Sequence, residues 1–412
     1  MTRRDFMKTT AVTTATMVAP SLVASTKDSP SLKVGLIGCG GRGSGAAVDA
    51  VNASEGVVLW SMGDVFEDHL ASSEQNLKNE LKGAFQVTKD RRFVGWDAYK
   101  GVLASGCDVA ILTTPPAFRA MHLAAAIDAG KHVFMEKPVA VDAAAVKSVI
   151  DSAAKAKERS LNIVAGTQRR HDVAYKACMD KIHGGAIGEI VAMNCYWNQG
   201  GLWMNPRQPE WSDMEWQLRN WLYFTWLSGD HICEQHIHNL DVCNWAMQSH
   251  PVKAMGMGGR EVRKDPAFGH VFDHFAVEFE YANGVKLVSM CRQIDGCASK
   301  VSEHIVGTKG TSNANTTIKG DNVWRWEGDR PNPYVEEHKA LHAAIRGGTY
   351  INEGERVAHS TMTAILGRMT TYSGLEVTWD EAMASNASLM PEKLEFGPLG
   401  VPAVAIPGTT KI

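Results

Sequence analysis

Short apolar runs alternate with longer helical patterns over the first part of the chain. The runs are typical of strands and lie at 32–38, 56–62, 108–113, 131–135 and 162–166. Helical patterns lie between them, at 44–51, 118–129 and 142–159. Strands that alternate with helices predict a mostly parallel sheet covered on both faces. We therefore expect an α/β Rossmann domain over residues 32–166.

The pattern changes after residue 172. A helix is predicted at 173–183, followed by strands at 189–197, 252–257, 273–281 and 285–292. Phe275, Val277 and Phe279 alternate with polar neighbours, and Asn283-Gly284 is typical of a tight hairpin turn. These features predict an α+β domain over residues 167–385 with a large, mostly antiparallel open sheet. It ends in a helix-rich segment at 334–374, and a Pro- and Gly-rich C-terminal arm follows at 386–412.

The composition fits two globular domains and argues against several other classes. The 412 residues are 44% hydrophobic and 21% charged, which is the range of folded proteins. The net charge of −3 offers no basic surface for nucleic acid. The eight cysteines include no CxxC pair, so they are expected to be buried thiols and not a zinc or thioredoxin-type site.

Residues 1–26 are predicted to be an export signal. Thr2-Arg3-Arg4-Asp5-Phe6-Met7-Lys8 is a twin-arginine pattern, and a weakly apolar stretch follows as far as Ala24. That stretch is too short and too polar for a stable membrane span. The alternative is a disordered tail with two chance arginines. Because the twin-arginine route exports folded proteins, we expect a periplasmic protein that can carry its cofactor along.

A glycine-rich turn follows the first predicted strand. Gly38-Cys39-Gly40-Gly41-Arg42-Gly43 has the G-x-G-x-x-G spacing and leads into an Ala-rich helix. The first glycine permits a tight turn, the second lets the backbone approach a diphosphate, and the third lets the helix pack on the strand. The helix N-terminus supplies N–H groups to the anion. Although a similar turn occurs in other α/β proteins, this context predicts a dinucleotide site formed by Gly38, Gly40, Gly41, Arg42 and Gly43.

Asp64 ends the second predicted strand, where a carboxylate can accept hydrogen bonds from the adenosine ribose. Such a carboxylate would repel a 2′-phosphate, so NAD is favoured over NADP. Arg42 is placed either to offset that repulsion or to contact the diphosphate, which leaves room for NADP.

Several further motifs lie at predicted strand ends: Thr114-Pro115, Ala129-Gly130-Lys131-His132-Val133 and Glu136-Lys137-Pro138. With the glycine loop, they make the chain resemble the glucose–fructose oxidoreductase, inositol dehydrogenase and MocA family (Gfo/Idh/MocA) from residue 32 to about residue 385. The resemblance places Lys137 beside the nicotinamide and the substrate hydroxyl. It assigns further cofactor contacts to Thr114, Pro115, Glu136 and Gln168. The family often has Asn and then His after Thr-Pro, whereas this chain has Pro116-Ala117-Phe118-Arg119, so those contacts should differ.

The catalytic candidates lie within the segment 229–241. The resemblance maps Glu234, His238 and Asp241 onto an acid, a histidine and an aspartate of the family, with Glu where Asp is usual. On one continuous helix, positions four apart share a face, so Glu234 and His238 would reach the same substrate. His238 is predicted to take the hydroxyl proton, since histidine titrates near neutrality, and Lys137 to assist it.

A zinc site is the alternative for this segment. His231, Glu234 and His238 would lie close to one helix face and could ligate the metal. The proton-transfer roles already account for two of these residues, so no metal is predicted.

Five tryptophans come shortly before the catalytic segment: Trp203, Trp211, Trp216, Trp221 and Trp226. A spacing of five does not hold one helix face, so core packing does not account for all of them. One or two are predicted to pack on a sugar ring, with Arg219 and Asn220 near its hydroxyls. The substrate-binding candidates are Arg169, Arg170, Arg219, Trp221 and His236.

Three functions follow from these features. The first is a nicotinamide-dependent oxidation of a secondary hydroxyl on a sugar, sugar derivative or glycoside, with a tightly held cofactor. The second is a redox-neutral glycosidase that oxidises, eliminates and hydrates with the same residues. The third is a non-catalytic sugar or nucleotide sensor. The open sheet, like that of the family, predicts a homodimer or homotetramer.

Overall fold

The computed structural model describes residues 31–411. The predicted export signal, residues 1–26, lies outside the described residues. Within the described part, no helix combines the length and the apolar character that a membrane crossing requires.

The first domain is built around a parallel sheet of six strands in the order β3-β2-β1-β4-β5-β6. The strands are β1 (Leu32–Ile37), β2 (Val57–Asp64), β3 (Arg92–Val94), β4 (Val109–Leu112), β5 (His132–Met135) and β6 (Ile163–Ala165). The helices are α1 (Gly41–Ala53), α2 (Glu67–Leu81), α3 (Ala98–Ala104), α4 (Arg119–Asp128) and α5 (Ala143–Glu158). Because all neighbouring strands are parallel, their carboxyl ends share one edge, which brings together Gly38, Asp64, Thr114 and Glu136.

The second domain contains a sheet of nine strands in the order β14-β13-β12-β11-β7-β10-β9-β8-β15. Its first half comprises α6 (Val173–His183), β7 (Ile190–Gln199), α7 (Asp213–Arg219), α8 (Thr225–Ser228), α9 (His231–Glu234), α10 (Ile237–Met247), β8 (Pro251–Gly259) and β9 (His274–Tyr281). Its second half comprises β10 (Lys286–Gln293), β11 (Lys300–Gly307), β12 (Gly310–Ser312), β13 (Thr317–Gly320), β14 (Trp324–Arg325), α11 (Pro333–Gly347), α12 (Gly354–Ser373), β15 (Val377–Thr378) and α13 (Trp379–Ala384). Only the β7–β10 pair is parallel among these described strands. The predicted fold, a Rossmann domain with a mostly antiparallel second sheet, is confirmed.

The second sheet has one buried face and one open face. Phe275, Val277 and Phe279 of β9 are buried in the core, on which α10 and α12 pack. On the open face, Met255 and Met257 of β8 are 57% and 77% exposed. The alternation along the strands therefore separates a packed face from a solvent-facing one, on which these methionines stand beside charged side chains such as Lys253 and Glu278.

The prediction that Glu234 and His238 lie on one continuous helix is wrong. Helix α9 ends at Glu234 after a single turn, and α10 starts at Ile237. The residue before α9, Asp230, has a positive φ of 69° and accepts a hydrogen bond from the His231 N–H. The chain then turns tightly, since the His236 N–H reaches the carbonyl of His231. Helical spacing therefore does not decide which of these side chains lie together.

The last helices of the chain return to the first domain. Helix α11 packs on α1, and α12 packs on α5. The dinucleotide-binding helix α1 is consequently covered by a helix of the second domain, which brings charged side chains of α11 close to the glycine loop.

Candidate functional site

The glycine loop provides space for a diphosphate at the start of α1. A Cβ on Gly43 would lie 1.9 Å from the carbonyl oxygen of Gly38, so the turn and the helix are in direct contact there. A Cβ on Gly40 or Gly41 would meet no protein atom within 4 Å, and no side chain caps the N-terminus of α1. This open, uncapped helix end suits an anion, and the residues present therefore fit a dinucleotide.

Asp64 ties the glycine loop to the end of β2. Its carboxylate accepts hydrogen bonds from the N–H groups of Cys39 (2.6 Å) and Phe66 (2.9 Å) and lines the groove that begins at the loop. Burial raises the pKa of Asp64, and the two N–H groups oppose that rise. The carboxylate stands where the adenosine ribose is bound in such domains.

Arg42 is engaged by carboxylates on several sides. Its guanidinium donates to Glu136 and lies within 3.4 Å of Asp49 and 3.5 Å of Glu337, which belongs to α11. Burial acts to lower the pKa of Arg42, but these carboxylates hold it above its usual value. Because these carboxylates already neutralise the Arg42 guanidinium, it does not offset the repulsion between Asp64 and a 2′-phosphate. This agrees with NAD, which has no 2′-phosphate, as the cofactor.

A groove of about 620 Å³ runs from the glycine loop past Asp64. From the first domain, Phe66, Trp96 and Tyr99 line it. From beyond that domain, Trp203, Arg219, Trp221 and Leu394 also line it. Lys137, Glu234 and His238 are not among the lining residues, so the groove corresponds to the dinucleotide half of the site.

Lys137 and Glu234 are brought together across the domain boundary. Lys137 follows β5, and its Nζ donates to the carbonyl oxygen of Glu234 (2.7 Å) and to Glu234 Oε1 (3.2 Å). Both side chains are nearly buried, at 11% and 12% exposed. An ammonium group held by a carboxylate at a strand end, beside the cofactor loop, is a suitable group to stabilise a developing alkoxide.

His238 is buried on the second-domain side of the site. Burial and the nearby charges of Lys137, Arg169 and Arg42 lower its pKa well below the usual value. Its ring stacks on Trp197 with centroids 5.8 Å apart. A histidine with a lowered pKa is unprotonated at neutral pH and is therefore able to accept a proton.

The predicted substrate residues divide into two groups. Arg169 lies near His238, where it pairs with Glu303 and covers Trp197 at 5.5 Å. Arg219 and Trp221 line the dinucleotide groove, at its Asp64 end. Trp216 and Trp226, in contrast, are buried in the core and present no free face to a sugar.

The side chains of Arg170 and His236 are bound by other protein groups. Arg170 is bound to Asp241 (2.8 Å) and lines a separate cavity. His236 is fully buried, with Nε2 2.7 Å from Ser289 Oγ on the packed side of the sheet. Neighbouring elements thus bind the Arg170 guanidinium and one ring nitrogen of His236.

The segment proposed as a zinc site is arranged differently. His231 Nδ1 lies 3.0 Å from Asp230 Oδ1, and its ring packs edge-on against Phe275. Among residues 31–411, no group of three or more His, Cys, Asp or Glu side chains is placed to hold a metal ion.

Sequence reasoning missed two buried polar residues behind Thr114. Arg119 donates to the Thr114 carbonyl oxygen (2.7 Å), and His122 Nδ1 lies 3.1 Å from Thr114 Oγ1. Burial lowers the pKa of His122 to about 3 and that of Arg119 to about 10. The available signal was the departure after Thr114-Pro115, where Pro116 and Phe118 stand at the family's Asn and His positions and Arg119 comes next. Gln168, predicted at the cofactor, donates to Tyr334 of α11 (3.2 Å).

Comparison with known proteins agrees with this geometry. Residues 32–163 match the Gfo/Idh/MocA oxidoreductase family with NAD-binding Rossmann fold, and residues 175–313 match the C-terminal domain of the same family. An inositol 2-dehydrogenase from Serratia proteamaculans is 26% identical over 62% of this chain and 66% of its own length. A 2,7-anhydro-N-acetylneuraminate hydratase from Escherichia coli is 28% identical over 50% of each chain. The matched region thus spans just under two thirds, or half, of these relatives.

The fold is also shared with solved structures. The scyllo-inositol dehydrogenase of Lactobacillus casei with bound NAD(H) and scyllo-inositol superposes with a TM-score of 0.64 at 19% identity. That likeness covers 85% of this chain and 99% of the other. With both domains matched in sequence and the NAD-binding loop intact, the chain belongs to the Gfo/Idh/MocA oxidoreductase family.

Proposed function

We propose that this protein oxidises a secondary hydroxyl of a sugar, a sugar derivative or a glycoside, using NAD. The observation that carries the proposal is the buried Lys137–Glu234 pair, with the buried His238 near it, at the sheet edge that also holds the glycine loop. NAD, when bound, supplies the hydride acceptor.

The side chains of the site stabilise the alkoxide and accept the hydroxyl proton. The Lys137 ammonium stabilises the developing alkoxide, and Glu234 holds that ammonium in place. His238 accepts the hydroxyl proton, since its lowered pKa keeps it unprotonated. The burial of all three groups excludes bulk water, which strengthens each of these electrostatic contacts.

A redox-neutral glycosidase is the second candidate. The relative named as a hydratase supports it, because that activity needs no net oxidation of substrate. Oxidation of one ring carbon acidifies the neighbouring C–H, so that the aglycone is eliminated as that proton is lost. Water then adds to the resulting double bond, and return of the hydride to the oxidised carbon leaves no net redox change. The same lysine and histidine serve both reactions.

We further propose that the cofactor is tightly held. The test is mass spectrometry of the ligand released from purified, denatured protein, followed by incubation of native protein with inositols, hexoses and aryl glycosides. Stoichiometric NAD or NADH, with reduction of that cofactor by one sugar class, is the expected result. Release of free sugar without net reduction would favour the glycosidase. Sugar binding with no conversion would leave a sensor and contradict both enzymatic proposals.

Export through the twin-arginine route is likewise proposed, on the strength of Arg3, Arg4 and the stretch that follows them. We expect that Arg3→Lys combined with Arg4→Lys keeps the chain in the cytoplasm of a bacterial host. Cell fractionation measures this. Unchanged export of the double variant would contradict the proposal.

We propose that a second copy of this chain covers the open face of the nine-stranded sheet. The support is the exposure of Met255, Met257 and Met290, which lie together on that face. Light scattering should give a dimer or tetramer for the natural chain and a smaller species for Met257→Glu. A monomeric natural chain would exclude this assembly.

A further inference from the structure

Two segments from outside the first domain lie over the Asp64 end of the groove. The first is the tryptophan-rich segment, residues 200–228. Its Arg219 forms a two-pronged ion pair with Asp68 of α2, at 2.9 and 3.1 Å. The same guanidinium lies 3.9 Å from the ring centroid of Phe66, which lines the groove. The segment is thus anchored on the first domain, just after the strand end that carries Asp64.

The second is the C-terminal arm, described as far as residue 411. Its Phe396 stacks on Phe66 (centroids 5.9 Å apart) and contacts Trp96 (5.3 Å). The arm is also fixed to α7, where the Met214 N–H donates to the Gly397 carbonyl oxygen and the Leu399 N–H donates to Asp213. The tryptophan-rich segment and the C-terminal arm therefore hold each other in place, because α7 belongs to the tryptophan-rich segment.

The resulting enclosure is rich in aromatic rings. Phe66, Trp96 and Tyr99 come from the first domain, whereas Trp203 and Trp221 come from the tryptophan-rich segment and stand 6.3 Å apart. Aromatic side chains stack on nucleobases whatever the base. An aromatic pocket next to the ribose-binding carboxylate is therefore suited to adenine.

We propose that the tryptophan-rich segment and the C-terminal arm complete the adenosine-binding site of the dinucleotide, so that three separate parts of the chain form it. The inference uses NAD as the ligand but does not require the proposed substrate chemistry. The arm lies beyond both regions that match the family. Arg219 and Trp221 thereby take a role at the cofactor and not at the sugar.

The proposal concerns the adenosine half of NAD and not the nicotinamide half, so the two halves can be tested separately. Protein freed of ligand is titrated with AMP, which carries the adenosine half, and with nicotinamide mononucleotide, which carries the other. We expect Trp221→Ala to weaken AMP binding by about 5- to 100-fold, the range of a lost base-stacking contact. Phe396→Ala removes the ring that packs on Phe66 and Trp96, so it should also weaken AMP binding by loosening the enclosure. Binding of nicotinamide mononucleotide should change by less than about twofold.

Two further variants keep the test decisive. Arg219→Gln keeps every ring and removes the guanidinium that ties the segment to Asp68 and Phe66, so it should also weaken AMP binding if the segment must be held closed. Ile406→Ala changes a 60% exposed residue of the same arm, and it should bind AMP as the natural chain does. Unchanged AMP affinity in Trp221→Ala and Phe396→Ala would overturn the proposal. A natural chain that binds neither half nor NAD would overturn it together with the proposed function.

Discussion

Lys137→Met is expected to lower kcat by about 10²- to 10⁴-fold while the protein still folds and binds NAD. Methionine fills a similar volume but has no charge, so the alkoxide would form without the ammonium group that now lies 2.7 Å from the Glu234 carbonyl oxygen. Reduction of the bound nicotinamide in a single turnover, followed by its absorbance, measures the effect directly on the chemical step.

The same variant should change the pH profile of the residual activity. The charge of Lys137 is, after burial, the largest cause of the lowered pKa of His238. Removal of that charge lets the pKa of His238 rise, so His238 becomes protonated at a higher pH. The acid limb of the profile should therefore move to higher pH, a shift that a merely structural lysine would not produce.

A matched control is available in the same domain. Lys155 of α5 also pairs with a carboxylate, that of Asp128, but lies at the surface, and Lys155→Met should leave kcat and the pH profile unchanged. Activity of Lys137→Met within about threefold of the natural chain would show that the ammonium plays no part in the transition state.

Most of the first domain could be predicted from the sequence because its signals are local. The glycine loop, the strand that ends at Asp64 and the helix over Ala143–Glu158 each depend on residues near one another in the chain. The helix at Val173–His183 follows in the same way from its apolar spacing.

The site could be predicted only in part, since much of it depends on contacts between distant residues. Lys137 meets Glu234 across the domain boundary, and a turn at Gln235 and His236 interrupts the helix that spacing predicts between Glu234 and His238. The position of Arg219 follows from its pairing with Asp68, which no short motif records. Arg170 was assigned to the substrate by its place in the chain, but a buried carboxylate at Asp241 holds it elsewhere.

Gly43→Ala is expected to weaken NAD binding by about tenfold or more and to destabilise the first domain by about 1–3 kcal/mol. The added Cβ would lie 1.9 Å from the Gly38 carbonyl oxygen and 2.7 Å from Thr113 Oγ1. The oxygen at Gly38 belongs to the backbone, so α1 must move away from β1, and the loop that surrounds the diphosphate moves with it. Calorimetric titration with NAD and a thermal unfolding curve measure the two effects.

Two other glycines of the loop and helix separate binding from stability. Gly40→Ala introduces a Cβ that meets no protein atom within 4 Å and faces the space for the diphosphate, so it should weaken NAD binding and leave the unfolding temperature of the ligand-free protein unchanged. Gly45→Ala lies in α1, where the nearest atom is the flexible end of Arg42 at 3.8 Å. It should bind NAD normally and gain up to about 1 kcal/mol from the better helix propensity of alanine. If all three variants bound NAD alike, the diphosphate could not lie against this loop, because only a ligand at that position distinguishes Gly40 from Gly45.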